Sequence, residues 1–73
     1  MTKTEFAALK ISVYRAAQKT DRDALAELHK GIRHYANAGP VDTTEEYRAE
    51  KLAHIAHLDR CVRLWKPNLS SGN

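Results

Sequence analysis

The sequence predicts an all-α fold: a small three-helix bundle with helices over about 3–18, 21–37 and 44–65, which a second copy could complete as a dimer. Three observations carry the prediction. A threonine stands three residues before an acid at Thr2–Glu5, Thr20–Asp23 and Thr43–Glu46. Apolar residues recur at helical spacing within each of the three segments. The chain of 73 residues has only 3 Gly and 2 Pro, and most of them stand where a helix would stop.

The first helix is predicted to begin at Thr2, whose hydroxyl can accept from a free N–H of the opening turn while Glu5 suits the positive helix end. Phe6, Leu9, Val13 and Ala17 gather on one stripe and read as its core side. Ile11 projects well away from them, flanked by Ala7 and Tyr14, which makes the apolar surface unusually wide. Its end at Lys19-Thr20 has neither Gly nor Pro to enforce it.

For the second helix, Ala24, Leu25, Leu28, Ile32, Tyr35 and Ala36 share one face and Arg22, His29, Lys30, Arg33 and His34 the other. Gly31 falls inside it, and Asn37-Ala38-Gly39-Pro40 closes it, since Gly permits a left-handed exit and Pro cannot continue a helix. In the third helix Ile55, Leu58, Val62 and Trp65 form a stripe, with Leu52 and Leu64 off it in opposite directions. Asp42, Glu45, Glu46 and Glu50 sit toward its start and Arg60, Arg63 and Lys66 toward its end, as the helix dipole favours. Lys66-Pro67 stops it. The domain is therefore drawn as 1–67, with 68–73 as a flexible tail.

Length and charge narrow the function. A chain this short buries about 60 % of its unfolded surface, which leaves little room for a walled pocket. No enzyme activity, cofactor or small-molecule substrate is expected. The composition, 42 % apolar and 29 % charged, is that of a folded domain rather than a disordered one. One Cys excludes an internal disulfide, and no signal-peptide core or membrane span is seen, which points to the cytoplasm. The net charge of +3 lies wholly in residues 1–37.

The leading expectation is a regulatory or adaptor protein that docks on another protein or on a second copy of itself. At about 1.5 Å per residue the third helix outreaches the others, so Val62, Leu64 and Trp65 overhang. Ile11, Tyr14, Leu64 and Trp65 are the interface candidates, Trp65 foremost because aromatic anchors dominate interfaces. Ordinary core is the plain reading of Trp65.

The alternative is nucleic-acid binding through Arg22, His29, Lys30 and Arg33, extended by Arg15 and Lys19. Asp21, Asp23 and Glu27 oppose it by repelling phosphates. A third reading is a metal site on His54, His57 and Cys61, which lie within about 60° on one helical face. Zinc needs four donors, so His29 or His34 would have to join, and no Cys-x-x-Cys knuckle is present. Cys61 beside His57 could in principle form a nucleophile and base, but nothing supplies a pocket or oxyanion donors. Four His could also tie association to pH near the imidazole range. The stretch EEYRAEKLAHIAHLDRCVRLW is similar in type to the long amphipathic helices of small bacterial and phage regulators, without a diagnostic motif.

Overall fold

The computed structural model describes residues 1–70. All-α character holds, but the three-helix bundle does not form: the chain is a hairpin of two long helices, α1 (Lys3–His29) and α2 (Thr44–Trp65). Single 3₁₀ turns at Ala36–Ala38 and Lys66–Ser70 complete the helical structure. Of the expected tail, 68–70 belong to the last of these turns, and 71–73 lie outside the described residues.

The correction falls at Lys19-Thr20, where α1 runs straight through. Thr20 is not a cap there; its hydroxyl donates back to the Ala16 carbonyl at 3.2 Å, which lets a threonine sit inside a helix. Lys19 pairs with Asp23 one turn on, at 3.0 Å. No Gly or Pro breaks the ladder, and what runs across the junction is a pattern of alternating four- and three-residue steps. Ala7, Ile11, Tyr14, Gln18, Asp21, Leu25 and Leu28 are each buried or half-buried. α2 answers with Thr44, Arg48, Lys51, Ile55, Leu58, Val62 and Trp65, again all buried or half-buried. That period of 3.5 is the seam of a coiled coil, so the hairpin is an antiparallel coil of two helices.

The true stop of α1 is Gly31, at φ +98°. Its N–H reaches the Leu28 carbonyl at 3.0 Å and the Ile32 N–H reaches that of Glu27 at 3.2 Å, a Schellman closure. The second predicted helix therefore ends about eight residues early, and Ile32, Tyr35 and Ala36 join no helical stripe. Gly31→Ala meets no atom, since its Cβ would have open space within 4 Å. The cost is the left-handed backbone alone. A loss of about 1 kcal/mol is expected in urea unfolding; an unchanged midpoint would show that the closure does not need glycine.

At the other termini the outcomes differ. Thr2 and Glu5 form the full reciprocal capping box, at 3.0 and 3.1 Å. Thr43 precedes α2 without a side-chain cap bond; Asp42 takes that role and accepts from the Thr44 N–H at 2.9 Å.

The resulting molecule is a rod of 56 × 20 × 15 Å with a radius of gyration of 16.3 Å. A compact domain of this length would have about 11 Å. Its 5335 Å² of surface exceeds the roughly 4,500 Å² of a compact monomer of this mass. Among the described residues the buried apolar core is Ala7, Leu28, Leu58 and Val62. Gln18, Asp21 and Thr44 are buried polar residues in the same seam.

Candidate functional site

The seam fixes how the two helices align. Gln18 Nε2 donates to the Ile55 carbonyl at 3.0 Å, and Arg15 reaches Asp59 at 3.3 Å. Asp21, its side chain 5 % exposed, is held by His54 Nδ1 at 2.6 Å and by Lys51 Nζ at 3.8 Å. These polar partners act as a register pin. Sliding one helix by a heptad would strip the buried carboxylate of both partners.

Beyond the seam, one broad side of the rod is apolar at its terminal end. The stripe predicted to be the core of the first helix lies there: Phe6, Leu9 and Val13 are 42, 48 and 55 % exposed. Leu64 joins them at 75 %. The helix turns that put Asp21 and Ile11 in the seam rotate this stripe outward by about a quarter turn. Trp65, half-buried, closes the end by meeting the Phe6 ring edge-on at 5.4 Å between centroids. Lys10 Nζ lies 5.7 to 5.8 Å from the rings of Phe6, Tyr14 and Trp65, so its ammonium rests in an aromatic setting. A cleft of about 320 Å³ opens beside them, lined by Lys3, Phe6, Trp65 and Asn68.

Of the four interface candidates, Leu64 and Trp65 stand on this side. Ile11 and Tyr14 are half-buried seam residues. Phe6, Leu9 and Val13 were missed as surface residues because they make a regular helical stripe, which a single sequence gives no reason to place outside.

The proposed nucleic-acid residues do not form one helical stripe. Arg22 and His29 are on α1, whereas Lys30 and Arg33 lie beyond its last residue. Arg33 is committed to Asp42, bonding through Nε at 3.0 Å and also through Nη2. Lys30 is 3.7 Å from Glu27.

Asp42 is the knot of this loop. Its carboxyl is held down to about 2, below the ordinary 3.8, first by the Thr44 hydroxyl and N–H and then by Arg33. Nearby, His34 stacks on Tyr47 at 4.1 Å, and Ala36 N–H donates to the Val41 carbonyl at 2.9 Å. Because the folded carboxyl is the stronger acid, its contribution is complete above pH 3.8 and fades as pH falls toward about 2. Acid titration of the fold should therefore show a loss across that window that Asp42→Asn lacks. Identical acid profiles for the two proteins would refute it.

The metal candidates separate. His54 turns to Asp21, leaving Cys61 Sγ 3.7 Å from His57 Nε2. These two line an open groove of about 460 Å³ with Arg60, Arg63 and Leu64, all on α2. Among the described residues no three His, Cys, Asp or Glu come together as a metal site, and no helix is long and apolar enough to cross a membrane. Compared with protein-family models, with curated proteins and with solved structures, the chain matches none.

Proposed function

We propose that this helical hairpin is a non-enzymatic interaction module, a small cytoplasmic regulator or adaptor of bacterial or phage type, that docks helix against helix. The observation that carries the reading is the apolar side made by Phe6, Leu9, Val13 and Leu64 around the Phe6–Trp65 contact. A rod with four buried apolar residues among those described has little core of its own, and a second helical surface laid on that side would supply one.

Val13→Asp and Leu64→Ser test it. Both residues are more than half exposed, so each change should cost the hairpin under about 1 kcal/mol and leave its helical circular dichroism intact. Each should nevertheless abolish association, read as solution mass and as the set of proteins retained by the immobilised chain. If both variants keep the wild-type mass and retain the same proteins, the reading is wrong.

A further inference from the structure

The apolar side carries a second pattern that fixes what can lie on it. Along α1, one step round from the seam, Lys3, Phe6, Lys10, Val13, Ala17, Thr20, Ala24 and Glu27 repeat the same alternating steps of three and four. On α2 the matching positions are Glu50, His54, His57, Cys61 and Leu64. Both stripes border the same side, as the Phe6–Trp65 and Asp21–His54 contacts show. A helix with two adjacent heptad stripes is built to touch two neighbours; α2 covers one stripe of α1, and among the described residues the only other element packed on α1 is the short turn Lys66–Ser70, at its N-terminal end.

The α1 stripe is complementary to itself reversed. Centred on residue 15, reversal sets Phe6 against Ala24, Val13 against Ala17 and Lys10 against Thr20, each large side chain over a small one. It also sets Lys3 against Glu27, opposite charges at the two ends. The cross-helix contacts Arg15–Asp59, Gln18–Ile55 and Asp21–Lys51 put residue 15 level with about residues 57–59 of α2, so the same axis crosses the second helix between His57 and Cys61.

Area agrees with this. A side 20 Å wide along about 40 Å of helix offers about 800 Å² per copy, the share each partner gives a standard interface.

Resting on the docking reading above, we propose that the occupant of this side is a second copy of the chain. It lies antiparallel about an axis at the level of Arg15 and Asp59, making a four-helix bundle. Parallel stacking would place the two Glu27 and Glu50 ends on each other, like charge on like.

The wild-type chain tests this directly. Sedimentation equilibrium at micromolar concentration should give twice 8.2 kDa. In a mixed sample of isotope-labelled and unlabelled chains, nuclear Overhauser contacts between copies should link the Phe6 ring to the Ala24 methyl and Val13 to Ala17. Lys3→Glu should weaken the dimer, and adding Glu27→Lys should restore it. A monomer throughout the accessible concentration range overturns the proposal, even if other proteins are retained through the same side, which would leave the docking reading standing. A dimer whose Phe6 meets Leu64 or Trp65 of the other copy overturns the antiparallel arrangement.

Discussion

Leu58→Ala should lower the unfolding free energy by about 2–5 kcal/mol, the cost of deleting a buried leucine and leaving its cavity. Leu58 is 6 % exposed and is one of four buried apolar residues among those described. A chain of this length holds about 4–11 kcal/mol in total, so one truncation removes a large share of it. The melting temperature should fall by about 10 °C or more, since about 1 kcal/mol moves a domain of this size by 4–8 °C. Leu52→Ala is the matched control. It removes the same atoms from the same helix, but Leu52 is 53 % exposed and the change should cost under about 0.5 kcal/mol. Equal melting shifts in the two variants would show that the seam is not where the stability resides.

The second large effect concerns the buried carboxylate. Lys51→Met together with His54→Leu keeps apolar bulk over Asp21 while removing its ammonium and imidazole partners. An uncompensated buried charge costs about 3–5 kcal/mol, and the double variant should lose that much in urea unfolding. Adding Asp21→Leu should recover most of the loss, because a wholly apolar layer needs no counter-charge. The recovery separates charge burial from lost packing. A double variant within about 1 kcal/mol of wild type, or a triple variant no better than the double, would refute the role given to Asp21.

Much of the fold was legible in local signals. The capping box at Thr2–Glu5 and the α2 stripe Ile55, Leu58, Val62 and Trp65 appear in the structure where their spacing places them. The α2 bounds, Thr44–Trp65, match the predicted 44–65. Thr20–Asp23 misled because the same residue types that cap a helix also sit inside one, the threonine bonding back to Ala16 and the acid pairing with Lys19. Gly31 misled in the opposite direction. Its tolerance inside a helix hid the left-handed backbone that ends α1.

The candidate site shows the same division. Phe6, Leu9, Val13 and Ala17 are a visible stripe, but two stripes compete on α1, one apolar and one partly polar. The apolar one has the stronger local signal. Yet the seam took Gln18 and Asp21, because the Ile55 carbonyl, His54 and Lys51 on α2 satisfy them once buried. Nothing within α1 announces those partners, which lie thirty or more residues away along the chain.

By itself, then, the sequence determined that this protein is helical, where its first helix begins, and where its last one begins and ends. Hydrogen bonds and caps within a few residues decide such matters. Only the tertiary structure decided that two helices form in place of three, and which of the two stripes of α1 faces inward. Those choices depend on the register of one helix against another, set by the long-range bonds of Gln18 and Asp21. The apolar side left over is a consequence of that register.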